Sequence, residues 1–253
     1  YYTRTVVAAW DWDGKELKQH WVFDTNNPKW KDYGGNGNHN IRVADVDGDG
    51  CDEITLGSVA IDNDGNGLYN THMGHGDAIH LTAFYPGSDK LQVWDCHENR
   101  RDGSDFRDAA TGKVKFQIPS NEDVGRCMVA DIDPTNPGLE MWSADSKGLR
   151  NVKGDILNGR VRSTNFGIWW DGDLLRELLD HERVLKYDWK AGRTYTLLQL
   201  KNCKFNNGTK SNPCLSADIL GDWREEILTR DETSSELRLY VSTIPTTHRM
   251  TCL

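Results

Sequence analysis

An all-β fold of the β-propeller type is predicted from three observations. A sequence repeat has the period of propeller blades, the segments between repeat marks read as strand, tight turn, strand, and the composition favours turns and aromatic surfaces over helix. The run Arg42-Val43-Ala44-Asp45-Val46-Asp47 returns as Met128-Val129-Ala130-Asp131-Ile132-Asp133 and, more weakly, as Leu215-Ser216-Ala217-Asp218-Ile219-Leu220. The leading aspartates stand 86 and 87 residues apart, and half of that interval, about 43, matches one four-stranded blade. By this period 253 residues hold nearly six blades. The 24 Gly and 10 Trp beside only 4 Met suit short strands joined by many turns.

In chain order, Thr3 to Trp10 is a strand-like run, which places the start of the sequence inside a fold. Alternation marks strands at Ile54-Thr55-Leu56, Leu91 to Trp94, Val114 to Ile118 and Leu237 to Tyr240. His80 to Phe84 and Gly167 to Trp170 supply strands midway between the repeat marks. Asp-Gly and Asn-Gly pairs at Asp13-Gly14, Asn36-Gly37, Asp102-Gly103 and Asn158-Gly159 punctuate them. One segment, Asp173 to Leu179, has helical spacing, with apolar residues at 174, 175, 178 and 179, and is read as a short helix.

The 30 Lys+Arg against 39 Asp+Glu give a net charge of -9, which excludes a nucleic-acid partner because phosphate binding needs an excess of basic residues. No run approaches the ~18 apolar residues of a membrane helix, and no basic start followed by an apolar core marks a secretion signal. Of six cysteines none forms a C-x-x-C pair, which argues against a thiolate zinc or redox site. Cys203 and Cys214 flank one polar loop and are read as either a bridge or free thiols.

Three loops repeat one register of oxygen-bearing side chains at positions one, five and nine: Asp45, Asp49 and Glu53; Asp62, Asn66 and Asn70; Asp218, Asp222 and Glu226. Alternating hard oxygen ligands around a glycine suit Ca²⁺. Asp47, Asp64 and the repeat residues Asp131, Asp133 and Glu140 extend the set of candidate ligands. The first loop is no EF-hand, since its twelfth position is Leu56 and strands flank it. The competing reading is that these acids merely form turns.

A second candidate centre comes from Gly37-Asn38-His39-Asn40, Gly74-His75-Gly76-Asp77 and Asp95-Cys96-His97-Glu98. His75 and Asp77 are two apart and project to one side of an extended chain, with His39 and Glu98 at comparable strand ends. His39, His75, Asp77 and Glu98 would hold one divalent ion; alternatively each histidine is a hydrogen-bonding residue of the structure. Phe205 to Ser211 presents Lys210 in a polar, glycine-containing loop. Such a lysine is a proton acceptor where positive charge or burial favours its neutral form, and otherwise a solvated surface cation. Asn207-Gly208-Thr209 also fits a glycosylation sequon, a common chance match.

These motifs, with Tyr1 to Val6, Val43 to Gly50, Gly167 to Asp173, Asn207 to Lys210 and Gly221 to Glu226, resemble the rhamnogalacturonan lyases of polysaccharide lyase family 11 from end to end. The resemblance implies an eight-bladed β-propeller that binds several Ca²⁺ ions and cleaves rhamnogalacturonan I, a pectin backbone, by β-elimination. It assigns the catalytic Ca²⁺ to His39, His75, Asp77 and Glu98, proton removal to Lys210, and sugar binding to Asn207, Gly208 and Thr209. It implies residues 1–253 of a propeller catalytic domain incomplete at both ends, with a general-acid tyrosine further downstream. Thr82-Ala83-Phe84-Tyr85-Pro86 departs from the family where relatives carry an acidic pair, so one structural Ca²⁺ loop is expected to be missing. The expected enzyme is secreted or periplasmic in a bacterium. The alternatives are a non-catalytic, Ca²⁺-stabilised propeller that binds glycans or proteins, and an inactive relative.

Overall fold

The computed structural model describes residues 3–145 and 147–250. It is all-β, with six antiparallel sheets among the described residues, in agreement with the nearly six blades that the repeat implies. The chain separates into two compact units, residues 1–127 with 143–147, and residues 128–142 with 148–253.

The first unit opens with a hairpin of β1 (Val6–Trp12) and β2 (Leu17–Asp24). At its turn Asp13 Oδ1 accepts from the backbone N–H of Lys15 and Glu16, both at 3.0 Å. Two four-stranded blades follow. The first runs β3 (Arg42–Ala44), β4 (Glu53–Leu56), β5 (Val59–Ile61) and β6 (Gly67–Asn70); the second runs β7 (Ala78–Thr82), β8 (Gln92–Cys96), β9 (Ser104–Asp108) and β10 (Val114–Ile118). Each strand pairs with the next in sequence, the up-and-down meander of a propeller blade. All five residues of β8 are buried, and Val93 packs with Val46, Ile79 and Ala109.

The second unit holds all but the end residues Cys127 and Ser143 of the pair β11 (Cys127–Ala130) and β12 (Glu140–Ser143), a four-stranded blade of β13 (Phe166–Ile168), β14 (Glu177–Asp180), β15 (Arg183–Asp188) and β16 (Arg193–Gln199), and three strands, β17 (Leu215–Ala217), β18 (Glu226–Arg230) and β19 (Leu237–Tyr240). The middle blade is covered on both faces. Leu178 and Leu185 enter one cluster with Trp142, Leu149 and Tyr187, while Leu179 and Val184 enter another with Trp170, Phe205 and Ile227. Each fully buried Leu contributes about 1.5–3 kcal/mol relative to exposure.

That double burial explains a correction. Asp173 to Leu179 is not a helix: Glu177, Leu178 and Leu179 lie in β14 and the residues before them form a loop. A strand buried on both faces carries adjacent apolar residues, and over a short run this cannot be told from a helix by period alone. Asn36-Gly37 and Asn158-Gly159 fall in longer loops, whereas Asp13-Gly14 and Asp102-Gly103 close hairpins between consecutive strands. At Gly103, with φ 60°, a Cβ would stand 2.0 Å from the Ile118 carbonyl oxygen, so only glycine fits. Cys203 and Cys214 are free thiols, as are Cys51, Cys96 and Cys127; Cys252 lies outside the described residues.

Candidate metal centre

Three backbone segments of the first unit converge at the ends of their strands. Asn38 forms a parallel bridge with Gly76, the His39 N–H donates to the Gly76 carbonyl at 3.2 Å, and the Glu98 N–H donates to the His75 carbonyl at 2.9 Å. Gly76 permits this approach, because a Cβ there would lie 2.0 Å from the Cys96 carbonyl oxygen. The three segments thereby bring His39, His75, Asp77 and Glu98 together, one ligand atom from each lying within 4.8 Å of the others.

His75 is buried and held by its Nδ1, which donates to the Gly37 carbonyl at 2.5 Å. A carbonyl only accepts, so the neutral ring keeps its lone pair on Nε2, the nitrogen that faces the acids. His75 Nε2 lies 3.7 Å from Asp77 Oδ1 and 3.5 Å from Glu98 Oε1, and His39 Nε2 lies 3.2 Å from Asp77 Oδ1. The two imidazoles meet edge to face with centroids 4.9 Å apart. Asp77 Oδ1 is buried without a hydrogen bond, although a buried carboxylate oxygen ordinarily finds a donor. Two imidazole nitrogens and two carboxylates around such an oxygen fit a divalent cation. The set is richer in nitrogen than the all-oxygen shells usual for Ca²⁺. On its other oxygen Asp77 meets Arg126, Nη1 to Oδ2 3.4 Å, a cation beside the centre that the sequence did not single out.

Beneath the centre lies a charge network also missed from sequence. Asp95, His97, Asp105 and Arg107 have fully buried side chains. Arg107 donates to Asp105 at 2.7 Å, to Asp95 at 3.3 Å and to the Gly57 carbonyl at 2.5 Å, while His97 Nε2 lies 2.8 Å from Asp105 Oδ1. Asn38 Nδ2 donates to Asp95 at 3.1 Å. The neighbours of His39 and Glu98 are thus tied to one buried guanidinium. Asp95 lies in β8, while Asp105 and Arg107 alternate along β9, where they look like the polar face of an ordinary strand.

Of the repeat loops, Asp45, Asp47 and Glu53 converge to the same 4.8 Å limit. Glu53 is buried: Oε2 accepts from the Val46 N–H at 2.9 Å and Oε1 is buried without a hydrogen bond. Burial, then the charges of Asp47, Asp49 and Asp62, push its pKa up. The acids also build the turn, as the competing reading held: Asp45 accepts from Gly48 and Gly50, and Asp49 from Cys51. Asp62 lies beside Glu53, whereas Asp64 bonds Asn66, and Asn66 also accepts from Lys29. Asn70 bonds the Asp32 carbonyl and the His72 N–H.

In the second unit Glu140 Oε2 accepts from Ile132 and Asp133 at 2.9 and 3.0 Å, Oε1 is buried without a hydrogen bond, and burial raises the pKa to about 8. Burial, Asp133 and Asp173 raise that of Asp131. Asp218 is occupied by the N–H groups of Gly221, Asp222 and Trp223, and Asp222 by Arg224 at 2.5 Å, while Glu226 accepts from Ile219 and Leu220. Lys210 ends a single 3₁₀ turn, Gly208–Lys210, bracketed by Asn207 and Ser211 at φ 63° and 49°. It is half-buried, Asn207, Gly208 and Thr209 are exposed, and the Thr209 carbonyl accepts from Asn165 at 3.0 Å.

Residues 1–253 match the family described as "Rhamnogalacturonan lyase family 11, C-terminal domain". The chain is 49% identical over 253 residues to rhamnogalacturonan endolyase YesW of Bacillus subtilis (strain 168), covering 99% of this chain and 40% of that protein. It is 46% identical over 266 residues to rhamnogalacturonan exolyase YesX of the same organism, covering 98% and 44%. The crystal structure of YesW superposes with a TM-score of 0.95 at 48% identity, covering 99% of this chain and 43% of that one. The Bacillus licheniformis rhamnogalacturonan lyase PL11 gives 0.95 at 50%, covering 100% and 44%. The sequence thus spans less than half the length of the relatives it matches. Matched along its whole length and carrying the family's motifs on propeller blades, the chain belongs to rhamnogalacturonan lyase family 11.

Proposed function

We propose that the protein cleaves the bond between rhamnose and galacturonate in rhamnogalacturonan I by β-elimination, with Ca²⁺ at the centre formed by His39, His75, Asp77 and Glu98. The observation that carries this reading is that convergence itself, around a buried carboxylate oxygen with no hydrogen bond, in a chain of this family. A structural ion alone gives no reason for two histidines at such a centre.

In the elimination the C5 proton of the uronate passes to a base and a double bond forms between C4 and C5. The bond from C4 to the rhamnosyl oxygen breaks, and that oxygen takes a proton. The C5 proton is weakly acidic while the neighbouring carboxylate keeps its charge, and a bound cation supplies the charge that lowers this barrier. The Gly37 carbonyl fixes the ring of His75, and Arg107 holds the strand ends that carry Asp95 and His97, so the ligands are set before substrate arrives. Lys210 takes the proton, and Asn207, Gly208 and Thr209 orient the sugar, roles that rest on the family motif. None of the described helices is long and apolar enough to cross a membrane, and a polymeric substrate found outside the cell supports a secreted or periplasmic location in a bacterium.

The test is full-length protein with rhamnogalacturonan I and Ca²⁺. Ultraviolet absorbance of an unsaturated uronate should rise, stop with chelator and resume with Ca²⁺. Substrate binding with no absorbance change would favour a non-catalytic propeller.

A further inference from the structure

Four loops of the chain are built on one plan, and in one of them the place of a cation is taken by a side chain. In each, a buried glutamate at the start of a strand turns one oxygen back to the loop's N–H groups. Glu53 accepts from Val46, Glu140 from Ile132 and Asp133, Glu177 from Trp170 and Asp171, and Glu226 from Ile219 and Leu220. At Glu53, Glu140 and Glu177 the carboxyl group lies beside the aspartates of its own loop. At Glu53 and Glu140 the second oxygen is buried without a hydrogen bond. At Glu177 it accepts from Lys186 Nζ at 2.8 Å, and the same ammonium reaches Asp173 Oδ2 at 2.8 Å and bonds Asp171 Oδ2.

The difference lies in one residue of the next strand. Continuing the pairing Ile54↔Ile61 by one residue puts Asp62 opposite Glu53. Continuing Met141↔Arg150 puts Asn151 opposite Glu140. Continuing Leu178↔Leu185 puts Lys186 opposite Glu177. Two loops therefore place an oxygen-bearing side chain at this position, the Glu226 loop places Val241 there by continuing Ile227↔Tyr240, and only the Glu177 loop of the four places a cation. Asp171, Asp173 and Glu177 come within 4.8 Å of one another, as close as Asp45, Asp47 and Glu53. An ammonium 2.8 Å from two carboxylates stands where Ca²⁺ would sit at about 2.3–2.6 Å from them, so the two exclude each other.

We infer that the Asp171, Asp173 and Glu177 loop is a cation site filled by the chain's own Lys186, and that removing the ammonium opens a latent divalent-cation site. This loop is then held shut without metal. The inference does not depend on lyase activity.

The test counts bound Ca²⁺ by elemental analysis after dialysis of the full-length protein against Ca²⁺. Asp173 is more than half exposed, so Asp173→Asn is a mild change. It should leave the count unaltered in the wild-type background; loss of one equivalent would overturn the inference by showing a metal in the loop beside Lys186. Lys186→Met should add one equivalent, which Asp173→Asn then weakens, and a folded Lys186→Met with the wild-type count would also overturn it. Lys186→Asp copies Asp62 and should melt higher in Ca²⁺ than in chelator by a wider margin than the wild type does. An equal margin contradicts the latent site and needs only that the variant fold with Ca²⁺ present.

Discussion

Replacing Glu140 with glutamine separates a carboxylate built for a cation from one that serves only as a hydrogen-bond acceptor. Burial holds the folded-state pKa at about 8, against an ordinary 4.5. Without metal, the unfolded chain releases this proton near pH 4.5 while the folded chain keeps it until about pH 8. Stability from this group is therefore full below pH 4.5 and falls as pH rises toward 8. At about 1.4 kcal/mol per pH unit the loss is on the order of 5 kcal/mol. Glutamine resembles the protonated acid, keeps an oxygen for Ile132 and Asp133, and carries no charge. In chelator, Glu140→Gln should match the wild type at pH 5 and exceed it by a few kcal/mol at pH 8. In Ca²⁺ the order should reverse, because only the carboxylate gains a metal partner. Denaturant unfolding of the chain at both pH values, with and without Ca²⁺, reads all four corners. If glutamine costs the same in all four conditions, Glu140 is an acceptor alone and the reasoning fails.

Other perturbations separate the remaining parts. Gly76→Ala drives a methyl against the Cys96 carbonyl, and should cost at least about 1–3 kcal/mol while weakening Ca²⁺ binding, both readable by calorimetry. Arg107→Met leaves Asp95 and Asp105 buried without their guanidinium, and a loss of about 3–5 kcal/mol is expected; an unchanged melting temperature would mean that the network is structurally idle. Asp77→Asn should abolish Ca²⁺ binding at the histidine centre and leave the Asp45 loop occupied, which site-resolved titration can show. Lys210→Ala in the full-length enzyme should lose turnover by at least about 100-fold and keep substrate affinity; parallel loss of affinity would make Lys210 a positioning group.

The repeat was legible because four of the six sheets reuse one buried glutamate and its loop, and in three of them the leading aspartates recur 86 and 87 residues apart. The four candidate ligands at residues 39, 75, 77 and 98 were legible as polar segments at strand ends, but their convergence was not, because it depends on backbone bonds through Gly76 that no sequence interval displays. Buried charge was harder to read. Arg107 and Asp105 sit on a strand whose alternation looks ordinary, and only the fold shows that both faces are covered. Lys186 was hidden for a similar reason: its partners lie 9 to 15 residues earlier, across a hairpin from a segment whose adjacent leucines imitate a helix. Grouping by sequence interval also set Asp62 with Asn66 and Asn70, whereas strand pairing sets it beside Glu53.

The proposed function stands on His39, His75, Asp77 and Glu98 forming a single cation site. Anomalous scattering from a crystal of the full-length protein soaked in Ca²⁺ would locate the ions. A peak is expected among the four side chains at about 2.3–2.6 Å from the carboxylate oxygens, with Asp77 Oδ1 as a ligand. Peaks in the Asp45 loop and none among these four residues would contradict it.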